Sequence, residues 1–248
     1  MNYINPPEKI PQGIMHRTFY SELYGHEIGY NIYLPPDYET SGKKYPVAYH
    51  LHGWTGSESS EIWTMEKVYA NRQFITIFPN NSPVIENNEN LPVESMIINE
   101  FIPHIDGNYK TIATREKRTV SGFSMGGGMA FHYAVKYIEL FSSVTAYAGT
   151  YHHFYYKDYH GVGEPMEKAV EMYENMIGDD KKFDRNNILN LRKNADKIRA
   201  SLKITLKVGT ADPLICDNEI FHLYLNSLYI PHEYIKIHGV SHELDKII

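Results

Sequence analysis

The sequence predicts an α/β domain, with a mainly parallel sheet, helices on both faces and an inserted cap. Three observations lead there. Short, mostly apolar runs alternate with helical patterns along most of the 248 residues, the arrangement of parallel strands joined by crossover helices. One run ends in a glycine-rich turn that opens a helix, Gly122-Phe123-Ser124-Met125-Gly126. Between Ala148 and Leu202 lie 53 residues, far more than one crossover helix needs.

Taken in order, Arg17–Ser21 and Glu27–Leu34 read as two antiparallel strands joined near Gly25, and Pro35-Pro36 breaks the second. Tyr45–Leu51 is a buried strand ending at His52-Gly53, and Phe74–Phe78 is another. Val93–Ile105 has helical spacing, with Pro103 placed to kink or end it. Lys117–Ser121 is a strand, Gly127–Lys136 a helix and Ser143–Ala148 a strand. Lys203–Val208 and Tyr234–Ile237 complete the sheet. Residues 1–248 form a single domain with a cap or lid at about 149–201. Glu164 to Ala200 carries 8 acidic and 8 basic residues, read as solvated helix faces.

Composition excludes several function classes. A net charge of −6 argues against nucleic-acid binding. No apolar run approaches the roughly 20 residues that span a bilayer, so no membrane role is expected. The first residues have neither a basic nor an apolar signal region, so no signal peptide is expected in this chain. The single cysteine, Cys216, excludes an intramolecular disulfide, and its position suits a buried, inert thiol. Asn80-Asn81-Ser82 is a short glycosylation pattern. The 21 Tyr, 10 Phe and 2 Trp are a surplus suited to a cleft that stacks on rings or sugars.

The turn at Gly122–Gly126 carries chemistry. It matches G-x-S-x-G, in which a strained turn between strand and helix holds a serine above the sheet. Side chains at Gly122 or Gly126 would clash where strand and helix approach. A serine is a weak nucleophile until a base removes its proton and a third group orients that base. Asp212 follows the strand ending at Val208, and His242 follows the last strand. Ser124, Asp212 and His242 therefore form a candidate triad, with Asp217 the alternative acid and His238 the alternative base. Glu243 reads as a solvated helix residue. Met125 N–H is the first candidate oxyanion donor and Trp54 N–H, after Leu51-His52-Gly53, the second. His50 and His52 form H-x-H, and His152-His153 is a second pair. Neither has the further ligands a metal hydrolase needs, so no metal and no cofactor is expected.

Tyr30–Pro36, Leu51-His52-Gly53, Gly122–Gly127, Asn99–Tyr109 and the Asp212/His242 pair resemble the esterase D-type hydrolases. Among these the chain is most similar to the family 1 carbohydrate esterases, which include feruloyl and acetylxylan esterases. The likeness runs from about Arg17 to Glu243 and is weakest in the insertion. It implies an α/β-hydrolase fold and cofactor-free ester hydrolysis through an acyl-serine. Where related sequences often carry a small or aliphatic residue, this chain has Trp54. Trp54, Trp63 and Tyr151–Tyr156 follow strand ends on the site's side, and Trp54, Tyr151, His153 and Tyr155 are expected to bind substrate. A hydroxycinnamoyl ring needs such an apolar slot and an acetyl group does not. The favoured substrate is therefore feruloylated plant cell-wall arabinoxylan, which implies secretion. Acetylxylan, S-formylglutathione and a non-catalytic carbohydrate-binding role are the alternatives.

Overall fold

The structure is a computed structural model, and it describes residues 2–82, 92–151 and 187–248. Eight strands form one sheet: β1 (Ile14–Ser21), β2 (His26–Tyr33), β3 (Val47–Leu51), β4 (Ile75–Pro79), β5 (Arg118–Phe123), β6 (Ser143–Tyr147), β7 (Lys203–Gly209) and β8 (Glu233–Ile237). Their order is β1-β2-β4-β3-β5-β6-β7-β8. β1 and β2 pair antiparallel, as do β2 and β4, and the remaining pairs are parallel. This is the α/β-hydrolase fold.

Each strand follows from its residues. β4 is buried along its whole length, as an interior strand covered on both faces must be. Along it Ile77 joins one apolar cluster and Phe78 the other, because successive side chains point to opposite faces. β1 and β2 turn at Gly25, whose φ of +65° is open to glycine at little cost. β8 is one of the two edge strands, with β1, and is mostly exposed.

The larger cluster packs four helical segments onto β1–β7: the Met125–Lys136, Asn187–Ser201 and Ile215–Ser227 helices and a composite helix over 93–108. In the composite helix, Met96–Phe101 is π-helical and Ile102–Asn108 returns to α. Pro103 has no N–H and its ring conflicts with the carbonyl four residues back. The wider π register just before it relieves that conflict, so the helix runs on to Asn108 instead of ending at the proline. The smaller cluster sets Ile62, Tyr69, Leu244 and Ile247 over Tyr33, Phe78 and Tyr147. Among the described residues, no helix is long and apolar enough to cross a membrane.

The C-terminal part of the predicted insertion packs on the core. Asn187–Ser201 is the crossover helix into β7, with Leu191 and Ile198 fully buried and Asn194 Nδ2 donating to Val135 O at 2.7 Å. Its charges do lie outside, which hid its packing role. Residues 152–186 of the expected cap lie outside the described residues.

Candidate active site

Ser124 sits between the end of β5 and the Met125–Lys136 helix with φ +55° and ψ −118°. A non-glycine residue persists there only when its surroundings impose the conformation. They do so at close range. A Cβ on Gly122 would lie 2.2 Å from Gly126 O, and one on Gly126 would lie 2.0 Å from Leu51 O. Ser124 N–H donates to Tyr147 O at 2.8 Å, which ties the turn to β6. The helix behind it favours negative charge at its N-terminus.

Asp212 and His242 come together through their own loops. A Cβ on Gly209 would lie 2.0 Å from Val240 O, so only glycine lets the two loops approach. Thr210 N–H donates to Ile237 O and Ala211 N–H to Val240 O, each at 2.9 Å. His242 Nδ1 then lies 2.8 Å from Asp212 Oδ2, while Asp212 Oδ1 accepts Leu214 N–H at 2.8 Å. Asp212 is buried. The Phe123 ring lies 4.5 Å from the His242 ring at 30°, which holds the imidazole over the end of β5.

Ser124 and His242 line one cleft of about 410 Å³ with Gly53, Trp54, Glu61, Phe123 and Leu244. In this conformer no hydrogen bond joins Ser124 Oγ to His242 among the described residues; such contacts tighten when substrate binds. Met125 N–H is the first amide of its helix, where no intrahelical acceptor exists. The Trp54 N–H belongs to the peptide whose carbonyl is Gly53 O. That oxygen accepts from His52 Nδ1 at 2.8 Å and from Gly56 N–H at 3.1 Å. All peptides here are trans, so the Trp54 N–H points away from those donors. His52 Nε2 accepts Asn81 N–H at 3.1 Å, which requires a neutral ring, and burial lowers the His52 pKa in the same sense.

The family model described as "Putative esterase" matches residues 21–243. The chain belongs to this Esterase family. It is 33% identical over 143 residues to the esterase Rv1288 of Mycobacterium tuberculosis, a match covering 53% of this chain and 31% of that protein. It is 32% identical over 134 residues to an endo-1,4-beta-xylanase/feruloyl esterase of Xylanibacter ruminicola, covering 44% of this chain and 18% of that protein. The chain thus aligns with a third or less of the length of these curated relatives. Among solved structures it shares its fold with an S-formylglutathione hydrolase of Staphylococcus aureus (TM-score 0.75, 18% identity, 93% of this chain and 92% of that one). It does so also with a CE1 ferulic acid esterase of Anaeromyces mucronatus (TM-score 0.65, 20% identity, 99% and 90%). The resemblance read from the sequence motifs is borne out at the level of the family.

The remaining sequence expectations of this esterase divide. Trp54 lines the cleft and is 38% exposed. Tyr151, expected to bind substrate, does not line the cleft: it is fully buried, stacked on Phe221 at 4.0 Å, and its N–H donates to Asp217 Oδ2 at 2.7 Å. That contact also places Asp217, the alternative acid, away from His242. His153 and Tyr155, with His152, lie outside the described residues. Trp63 is exposed and donates from Nε1 to Lys9 O, away from the cleft. His238 is exposed, and Glu243 pairs with Lys246 at 2.7 Å. Cys216 is exposed rather than buried, because it falls on the outer face of the Ile215–Ser227 helix. Asn80, Asn81 and Ser82 are all buried, so the glycosylation pattern is closed to modification in the folded chain. His50 and His52 each engage both ring nitrogens in hydrogen bonds to different protein partners. Glu61 went unnoticed in the sequence, and Asn81 was read there only as part of a glycosylation pattern; neither carries a local signal of its place beside the cleft loop.

Proposed function

We propose that the esterase releases hydroxycinnamoyl groups, ferulate foremost, from plant cell-wall arabinoxylan. One observation carries the chemistry: a serine on a strained turn shares a cleft with an imidazole whose Nδ1 is bonded to a buried carboxylate. Ser124 Oγ attacks the ester carbonyl carbon while His242 Nε2 accepts the hydroxyl proton. Asp212 holds the ring in the tautomer that leaves Nε2 free and stabilises the imidazolium. The oxyanion lies between the Met125 and Trp54 amides. Collapse passes the proton from His242 to the departing sugar oxygen and leaves an acyl-serine. Water activated by His242 then releases the acid and restores Ser124. No step draws on a metal or cofactor.

The acyl group is read from Trp54, which offers the cleft an exposed aromatic face. The xylanase/feruloyl esterase named above supports the same reading. A polymer of the plant cell wall cannot enter a cell, so the esterase acts outside it. Ser124→Ala is expected to abolish turnover of methyl ferulate with an unchanged thermal melt; retained turnover overturns the mechanism. Rates on methyl ferulate, acetylated xylan and S-formylglutathione, measured on one preparation, test the acyl group. The highest kcat/KM falls on methyl ferulate, and a higher value on either of the others replaces the substrate while leaving the mechanism.

A further inference from the structure

Glu61 lines the cleft, yet both its carboxylate oxygens are committed to protein partners. Oε1 accepts Gly53 N–H at 2.9 Å, and Oε2 lies 2.6 Å from His50 Nε2. Across that ring, His50 Nδ1 lies 2.8 Å from Ser121 Oγ. His50 is buried, edge-on to Phe78 and tilted against Tyr147, so its ring cannot turn without repacking both. A neutral imidazole satisfies the whole chain. Ser121 O–H donates to Nδ1, Nε2–H donates to Glu61, and Oε1 is left for Gly53 N–H. The chain thereby anchors the loop after β3 to the body of β5.

Gly53 is the residue being gripped. A Cβ built there would lie 3.5 Å from Ser124 Cβ and 3.3 Å from Phe123 Cδ1, so it rests directly against the nucleophile turn. Its carbonyl is already fixed by His52 and Gly56. Its N–H, on the preceding peptide, is fixed among the described residues by Glu61 alone. A glycine with one end loose would swing the following peptide, and that peptide carries the Trp54 N–H. A carboxylate beside a developing oxyanion would also oppose the reaction. Here its charge is directed at the Gly53 and His50 N–H groups instead.

We infer that Glu61, seated on His50, is a positioning residue that holds the Gly53-Trp54 peptide with the Trp54 amide aimed at the oxyanion. The inference rests on the reading of Ser124 as nucleophile. Its test uses p-nitrophenyl acetate, which asks nothing of the acyl pocket, and phenylboronic acid, whose adduct on serine mimics the tetrahedral intermediate. In Glu61→Ala, kcat falls by about 10- to 100-fold, somewhat less than the loss of a whole oxyanion donor. KM stays within about threefold, because the lost contact acts in the transition state. The phenylboronic acid Ki rises by the same factor as the fall in kcat/KM. Glu61→Gln can offer its oxygen to Gly53 N–H and its amide to a His50 in the other tautomer, so it stays within about threefold of wild type.

A Glu61→Ala variant with unchanged kcat overturns the inference. So does a fall in kcat with no change in boronate Ki, or a Gln variant as impaired as Ala. If Glu61→Ala does not melt cooperatively, His50→Phe carries the same test, since it keeps the ring packing and drops both hydrogen bonds. It should lose kcat and boronate affinity together, and wild-type values of both overturn the inference. Ser124→Ala separates the two readings on the same substrate. If that variant turns over, the nucleophile falls; if it is dead while Glu61→Ala is unimpaired, only the positioning role falls.

Discussion

At the residue scale, the task proposed for Asp212 is to fix the tautomer of His242. It accepts Leu214 N–H with one oxygen and faces His242 Nδ1 with the other. In Asp212→Asn the amide can keep the Leu214 contact and turn its NH₂ toward Nδ1. That forces the proton onto Nε2, where the base is needed. We expect kcat on p-nitrophenyl acetate to drop by about 10⁴-fold while the thermal melt holds; a loss below tenfold would mean another acid serves His242. The Asp212–His242 contact was legible because a strand end followed by Asp or His is a local pattern. Glu61 was not, because its meaning comes from Gly53 and His50, which only the packed loop brings to it. Tyr151 misled for a related reason. Aromatic composition does not distinguish a ring exposed in a cleft from one stacked in the core on Phe221.

At the element scale, the elbow is a close approach of three backbones. In Gly122→Ala the new methyl meets Gly126 O at 2.2 Å, which is backbone and cannot move aside alone. Urea unfolding should show a loss of more than about 2 kcal/mol, as backbone strain and overpacking combine. Wild-type stability would contradict the turn as drawn.

A second device clamps the composite helix to the nucleophile helix. Buried Glu94 meets His132 at 3.1 Å, Lys136 at 2.7 Å and Tyr137 at 2.5 Å. Burial pushes its pKa up. The His132 hydrogen bond and charge, together with Lys136 and Tyr137, outweigh burial and bring it to about 2 from an ordinary 4.5. A carboxylate lowered on folding stabilises fully above its unfolded value and loses that contribution as pH falls toward the folded one. The esterase should therefore lose stability between about pH 4.5 and 2, on the order of 3 kcal/mol from this group. Denaturation at stepped pH checks this, and Glu94→Gln should flatten the slope in that window. An unchanged slope would remove Glu94 as its cause. The helix itself was legible from its spacing. Its π-helical stretch was not, since a proline in a helix predicts an interruption without saying how it is absorbed.

At the scale of the whole molecule, the strands and their alternation with helices were readable because apolar period and turn residues are local, whereas the sheet order, with β4 between β2 and β3, was not. Within the span read as an insertion, a charged outer face conceals a buried stripe: Asn187–Ser201 reads as solvated yet lies against the Met125–Lys136 helix. What the assembled molecule adds is convergence. Loops after β3, β5, β7 and β8 meet at one end of the sheet, as ligand sites in open α/β sheets do. Trp54 belongs to that end. Trp54→Ala should raise KM for methyl ferulate by roughly 5- to 50-fold, on the scale of a lost aromatic contact, and leave KM for p-nitrophenyl acetate nearly unchanged. Equal effects on both would deny Trp54 a part in acyl choice.

All of this hangs on Ser124 being the nucleophile. Labelling with a fluorophosphonate, followed by mass spectrometry of the digested protein, addresses that without assuming any natural substrate. One adduct per chain on the peptide containing Ser124, absent in Ser124→Ala, is the result the structure predicts. No adduct, or an adduct on another residue that persists in Ser124→Ala, would contradict it.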